Sequence, residues 1–359
     1  MAPIKTARLI LKNGREFSGQ SFGFPGSVSG EVVFNTAMTG YPESLTDPSY
    51  KGQILVSTFP LIGNYGVPKE EIRYGIPEGF ESDSIHISGL VISDYSAEYS
   101  HWNAEQSLGE WLNGNKVPGI CGIDTRELTK IIREHGCMPG KIVIDNQSVD
   151  WYDPNQDNLV EKVSTKEKQI YGNGRHRILL VDCGVKFNII RSLLQFDTTV
   201  IRVPYDHDFL KEDYDGLFIT NGPGDPAMCT TTIHHLSRAL EQDIPTFGIC
   251  LGSQLLGIAG GASTYKLKYG HRSHNQPVIQ HGTKHCFITS QNHGFAVDPD
   301  QLNDDWEVFF TNLNDGTCEG IRHRKKPFFS TQFHPEASGG PTDTAFLFEQ
   351  FIGLIKERS

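Results

Sequence analysis

Residues 245–261 read PTFGICLGSQLLGIAGG: a short apolar run, a break at Gly-Ile-Cys-Leu-Gly, then apolar residues at helical spacing. That pattern places Cys250 at a sharp strand-to-helix turn, beside the positive end of a helix and backbone N–H groups able to receive an oxyanion. Moving outward, the same alternation recurs. Upstream lie RILLVD (177–182), the helical KFNIIRSLLQF (186–196), TTVIRV (198–203), a helical HDFLKEDY (207–214), DGLFIT (215–220) and the helical TTIHHLSRALEQD (231–243). Buried apolar strands alternating with amphipathic helices predict an α/β domain with a mainly parallel central sheet flanked by helices, with its sites at the carboxyl ends of the strands. Downstream of residue 262 the pattern returns to strands and closes with a helix in DTAFLFEQFIGLIKER (343–358), whose apolar positions are 346, 348, 351, 352 and 355.

Before residue 150 the texture differs. Short β-like runs with many turn signals, such as ARLILKNGREFSG (7–19), GEVVFNTAMTG (30–40) and KGQILVSTFPLIGNYGV (51–67), surround one clear helical stretch, TRELTKIIREHG (125–136). The expectation is a β-rich N-terminal domain over 1–150, a polar, turn-rich connection over 151–176, and the α/β domain over 177–359. A length of 359 residues accommodates two domains at the usual prior of about 150 residues each.

Composition removes several function classes. Lys plus Arg number 32 against 43 Asp plus Glu, a net charge of −11, and the only basic run is the short HRKK at 323–326, so nucleic acid and anionic membrane are poor partners. No window approaches the ~18 apolar residues of a membrane span, and the N-terminus carries no secretory pattern, which predicts a soluble, cytoplasmic protein. The seven cysteines are odd in number and never spaced C-x-x-C, which argues against a disulfide framework and a zinc site.

Two further segments carry candidate chemistry. NGPGDP (221–226) follows a predicted strand, and Gly222 and Gly224 let backbone approach a ligand closely. In KPFFSTQFHPEAS (326–338), Pro335 disfavours helix at His334, so the segment is expected to be extended, with His334 and Glu336 on the same side by two-residue alternation. Glu336 would then hold one ring nitrogen and leave the other free to take a proton from Cys250. His-Pro-Glu alone is commonplace in a chain with 14 histidines; its weight comes from standing with Gly-Ile-Cys-Leu-Gly.

FGICLGSQ, NGPGDP and QFHPE, on these elements, resemble the class I (triad) glutamine amidotransferases. The first domain narrows the likeness: residues 30–67 and GIDTRELTKIIREHG (122–136) resemble the small, glutamine-hydrolysing chain of carbamoyl phosphate synthetase, and the resemblance runs over about residues 8 to 357. It implies Cys250 as nucleophile, His334 as base and acid, Glu336 as the residue orienting the ring, and Leu251 and Gly222 as oxyanion donors. It implies an L-glutamine site at Ser49, Gly222, Gly224, Leu251, Gln254, Asn292, Gly294 and Phe295. No metal or cofactor is implied in this chain; ATP and Mg²⁺ are implied for a large synthetase partner chain, which would receive ammonia and make carbamoyl phosphate for arginine and pyrimidine synthesis. The ending at IKERS fits a free-standing subunit of a heterodimer.

Ser253 stands where many relatives of this kind have histidine, a departure that leaves the implied mechanism intact. Some animal relatives that use free ammonia have lost the cysteine, whereas this chain retains it. Cys183 reads as a buried structural thiol; His234, His235 and the group His271, Arg272, His274 read as solvated or hydrogen-bonding side chains, since the sequence places no acids or thiols near them at ligand spacing. The 125–136 helix reads as a surface helix, with a docking face as the sharper alternative. Two competing functions remain: another amidotransferase or γ-glutamyl hydrolase, disfavoured by the first domain, and a non-catalytic partner, disfavoured by the retained triad.

Overall fold

The computed structural model describes residues 5–358, and the chain divides into two compact units, one of residues 1–73 and 77–157, the other of residues 74–76 and 158–359. The first unit is built on a closed barrel of β1 (Thr6–Leu11), β2 (Glu16–Gly23), β3 (Val28–Asn35), β4 (Gln53–Ser57), β5 (Gly89–Val91), β6 (Pro118–Cys121) and β7 (Met138–Ile144), in the order β1-β7-β3-β4-β5-β6-β2. Glycines allow two close approaches in it: a Cβ at Gly30 would run into the Gly52 carbonyl, and one at Gly140 into Val32. Among the described residues three α-helices accompany the barrel: α1 (Tyr41–Thr46), α2 (Leu108–Gly114) and α3 (Thr125–His135). Ser107 and Glu110 form a reciprocal capping box on α2. Asp124 caps α3, which buries Leu128, Ile131 and Ile132.

The second unit holds a ten-stranded sheet. Its strands are β8 (Gln169–Tyr171), β9 (His176–Asp182), β10 (Thr198–Pro204), β11 (Gly216–Ile219), β12 (Thr246–Ile249), β13 (Thr264–Gln280), β14 (Cys286–Val297), β15 (Trp306–Asn312), β16 (Cys318–His323) and β17 (Phe328–Thr331), in the order β8-β10-β9-β11-β12-β17-β16-β15-β13-β14. The centre, β10-β9-β11-β12-β17, is parallel throughout, as the strand–helix alternation predicts. Beyond β17 the wing is antiparallel. Two-residue alternation splits the central strands between two cores: Ile178 and Leu180 pack with residues of α5 (Phe187–Leu193) and α8 (Phe346–Arg358), while Leu179 and Val181 pack with residues of α6 (Thr230–Ala239) and α7 (Leu251–Ala259). Phe218, Phe247, Phe329, Phe348 and Phe351 lie in the first of these cores, and each such side chain stabilises the fold by roughly 1.5–3 kcal/mol through burial.

Three local expectations are revised. Residues 207–214 form a single 3-10 turn, Phe209–Lys211, because Phe209 is one anchor without the recurring partners that make a helical stripe. The stretch 151–176 is not bare connection. It contains α4 (Leu159–Val163), capped by Asn158, and β8, which adds to the edge of the sheet antiparallel to β10. The late strand β17 stops at Thr331, three residues short of His334. His334 to Ala337 is instead a turn closed by the Ala337 N–H on the His334 carbonyl at 3.3 Å, with Pro335 at its second position, where the fixed proline φ suits a turn.

Candidate active site

Cys250 caps the N-terminus of α7 with φ +54° and ψ −104°, a conformation that L-residues avoid and that costs on the order of 1–3 kcal/mol. The flanking glycines explain how the chain tolerates it. A Cβ at Gly248 would collide with the Gly252 carbonyl, and a Cβ at Gly252 with the Ile219 carbonyl, so the turn closes only with hydrogen at both positions. The Cys250 N–H donates to the Thr331 carbonyl at 2.8 Å, tying the elbow to the end of β17, and the Cys250 carbonyl accepts the first helical N–H groups, from Ser253 and Gln254. The thiol Sγ lies 3.7 Å from the Asn292 carbonyl of β14.

His334 is registered against the same strand. Its N–H donates to the Ser290 carbonyl at 2.9 Å in an isolated antiparallel bridge. Its Nδ1 lies 2.6 Å from Glu336 Oε1, while Nε2 is buried with no hydrogen-bond partner. The pairing expected from strand alternation is therefore present, but a turn produces it. Glu336 is fully buried; burial alone would raise its pKa, yet the His334 imidazole and the Lys186 ammonium, 3.3 Å away, hold it down to about 2. Asn188 donates to the Glu336 backbone carbonyl. Lys186 and Asn188 were not legible as site residues, since their segment reads only as a helix start; a lysine in the loop between a strand end and that helix was the available signal.

The Gly-Pro-Gly loop joins from the end of β11. A Cβ at Gly222 would strike the Cys183 carbonyl and the Leu251 side chain, which places Gly222 directly against the first helical residue after Cys250. The loop is held by Asn221, whose Oδ1 accepts the Lys186 N–H at 3.1 Å, and by Thr220, whose hydroxyl accepts the Cys183 N–H at 2.9 Å. Gly224 takes φ +85° and lies against Leu159. Cys183 itself is buried in apolar core with its thiol pKa raised well above the ordinary value by burial.

Gln254 uses both N–H bonds of its amide on protein acceptors, the Phe295 carbonyl at 2.9 Å and Gln332 Oε1 at 3.1 Å, so only its carbonyl oxygen remains to meet a ligand. Asn292, Gly294 and Phe295 share one short stretch of β14. The structure thus ties Cys250, Leu251, Gly222, Gln254, Asn292, Phe295, His334 and Glu336 together through direct contacts and shared strands. Ser49 belongs to the first unit, buried in a 3-10 turn with its N–H on Asp47 Oδ1 at 2.9 Å. Ser253 fills its position by hydrogen-bonding Ser330 at 2.8 Å.

A thiol on a strained elbow with a carboxylate-held imidazole in the same sheet defines the triad amidotransferase class. The family model for glutamine amidotransferase class-I matches residues 179–354, and that for the carbamoyl-phosphate synthase small chain, CPSase domain, matches residues 9–142. The chain is 49% identical over 365 residues to the carbamoyl phosphate synthase arginine-specific small chain of Saccharomyces cerevisiae, covering 98% of this chain and 89% of that one. It is 53% identical to the multifunctional protein CAD of Squalus acanthias and 50% identical to the mitochondrial carbamoyl-phosphate synthase [ammonia] of Mus musculus, with 98% of this chain covered in each. Of those two longer proteins it spans 16% and 24%. The chain belongs to the carbamoyl-phosphate synthase small chain family.

Proposed function

We propose that the chain is the glutaminase of a glutamine-dependent carbamoyl phosphate synthase, releasing ammonia for a large ATP-dependent chain. The observation that carries this reading is the unpartnered, buried Nε2 of His334 opposite an Nδ1 held by Glu336, on the sheet that carries the Cys250 elbow. The imidazole takes the Cys250 proton, and the thiolate attacks the γ-amide carbon of L-glutamine. The N–H groups of Leu251 and Gly222 stabilise the tetrahedral oxyanion; losing one such donor costs roughly 100- to 1,000-fold in rate. His334 returns its proton to the departing nitrogen, ammonia leaves, and a γ-glutamyl thioester remains. A water molecule then gives its proton to His334, its oxygen attacks the thioester, and glutamate leaves as the sulfur is regenerated.

Gly224, Asn292, Gly294 and Phe295 complete the glutamine site of the second unit on this reading, with the Gln254 carbonyl oxygen accepting from the substrate ammonium. The large partner consumes the ammonia with bicarbonate, ATP and Mg²⁺ in the cytoplasm, this chain forming a heterodimer with it and serving arginine or pyrimidine synthesis. No helix among the described residues is long and apolar enough to cross a membrane.

The test is glutamate release by the wild type and Cys250→Ala, alone and with the large chain. Cys250-dependent release coupled to ATP-dependent carbamoyl phosphate is expected. A complex that makes carbamoyl phosphate from ammonia yet shows no Cys250-dependent glutamate release refutes the proposal. Release with no carbamoyl phosphate from the complex points to a γ-glutamyl hydrolase instead.

A further inference from the structure

A second group of buried ionisable residues lies behind the glutamine strand. His271 on β13 carries a carboxylate on each ring nitrogen: Nε2 is 2.8 Å from Asp315 Oδ2, and Nδ1 is 3.2 Å from Glu319 Oε1. Glu319, on β16, is fully buried, and its Oε2 has no partner. The groups that face His271 are Asp315 from the turn after β15, Glu319 from β16, Asn312 from β15, and His293 from β14, whose ring meets it edge-on with centroids 4.9 Å apart. Two carboxylates on one imidazole require both ring nitrogens to donate, so the ring is an imidazolium.

The network reaches the glutamine site along two routes. Glu319 Oε1 stands 3.7 Å from His293 Nε2, and His293 Nδ1 donates to the Phe295 carbonyl at 2.9 Å, the same carbonyl that accepts Gln254. On the other side the Glu319 backbone carbonyl accepts the Gln332 N–H at 2.8 Å, and Gln332 Oε1 is the second acceptor of the Gln254 amide. The Phe295 acceptor is thus reached from the Glu319 carboxylate through His293, and the backbone of Gln332 is held by the Glu319 backbone.

We propose that Asp315, His271 and Glu319 form a positioning network for glutamine, which fixes the 291–295 strand and the Gln254 amide only while His271 carries its second proton. These are positioning residues acting through Gln254 and Phe295, and the inference rests on the glutaminase reading above. The pH sense follows from the charges: burial lowers the His271 pKa, but Glu319 and Asp315 outweigh it and raise the net value above that of a free imidazole, so the imidazolium is lost as pH rises through that raised value. Loss of the proton leaves Glu319 as a buried carboxylate without its cation, and glutamine binding weakens on the alkaline side.

The experiment is steady-state glutamate release by the full chain across pH. Glu319→Gln is expected to raise KM for glutamine about tenfold while changing kcat by less than about threefold, since it loosens binding without touching Cys250 or His334. It also moves the alkaline limb of kcat/KM to lower pH, because His271 loses one of the carboxylates that hold its proton; the substrate ammonium titrates identically in both proteins. Asp315→Asn, at a position nearer the surface, is the second variant should Glu319→Gln fold poorly, and it moves the limb the same way by less. Soluble variants with melting temperature lowered but KM and alkaline limb unchanged overturn the proposal, leaving these residues a purely structural cluster. So does one equivalent of a divalent metal whose removal by chelation abolishes glutamine binding, because His271, His293 and Glu319 would then be ligands. A wild type without glutaminase activity refutes the function itself, a separate result.

Discussion

Two of the buried histidine–glutamate pairs among the described residues of the second unit, His334–Glu336 and His271–Glu319, differ in a way that locates the chemistry. His334 and Glu336 sit 2.6 Å apart in one turn, with Nε2 of the imidazole left without a partner. His271 and Glu319 sit 3.2 Å apart on two strands, with Nε2 bound to Asp315. Both are acid–imidazole pairs in low dielectric. Only the first has a nitrogen free to move a proton; the second is closed at both ends and can only hold position. Replacing the histidine in each pair gives the largest expected effect. His334→Asn removes the proton carrier and lowers kcat for glutamate release by roughly 1,000-fold or more. His271→Asn leaves the thiol and base in place and acts mainly on KM. Equal loss of kcat in the two variants would erase the distinction drawn between the pairs.

The acids differ in the same way. Glu336→Gln keeps the shape of the turn but removes the charge that orients the ring and stabilises its protonated form, so kcat falls by roughly 100-fold with glutamine KM little changed. Its pH signature is distinct from that of the other pair. The Glu336 pKa is depressed from the ordinary 4.5 to about 2, so its contribution to stability is fully present above about 4.5 and is lost as pH falls toward 2. Acid unfolding followed by tryptophan fluorescence is therefore shallower in Glu336→Gln over that window, whereas the His271 network shows itself on the alkaline side.

The contrast also explains what could be read from the chain. The first pair is compressed into His-Pro-Glu, and the elbow into Gly-Ile-Cys-Leu-Gly, so short-range rules find both: proline excludes helix, and the glycines mark where a Cβ would strike backbone. The parallel order of the central strands follows from their apolar runs and intervening helices. The strand expected to carry His334 ends early because Pro335 starts a turn, and the same proline supports either reading from sequence. The second pair was invisible because its members stand at 271 and 319 and meet only through the antiparallel wing, where β13 is interrupted by register shifts after Lys266 and after Ser273. Lys186 was hidden for the same reason: it reaches Glu336 across 150 residues of sequence. Cross-strand pairing at that range leaves no periodic trace in either segment.

Lys186 gives the smallest and most discriminating effect. It is the second cation on Glu336, 3.3 Å from Oε1 and only 10% exposed, where Glu319 of the other pair has the His293 ring, 3.7 Å from its Oε1. It also lowers the pKa of the half-buried His274, which partial burial first and then Lys186 and His334 bring down to about 4, so that ring is neutral at pH 7. Lys186→Met preserves the stem of the side chain and removes the charge. Glu336 then retains His334, so catalysis persists and kcat falls only a few-fold, on the order of 2- to 5-fold. The carboxylate loses part of what depresses its pKa, the folded value rises from about 2 toward 4.5, and acid destabilisation begins at higher pH. Carbon-13 titration of the Glu336 carboxyl in the two proteins measures that rise directly. An unmoved Glu336 titration would mean that His334 alone sets the charge, making the two pairs differ in their free nitrogen and in nothing else.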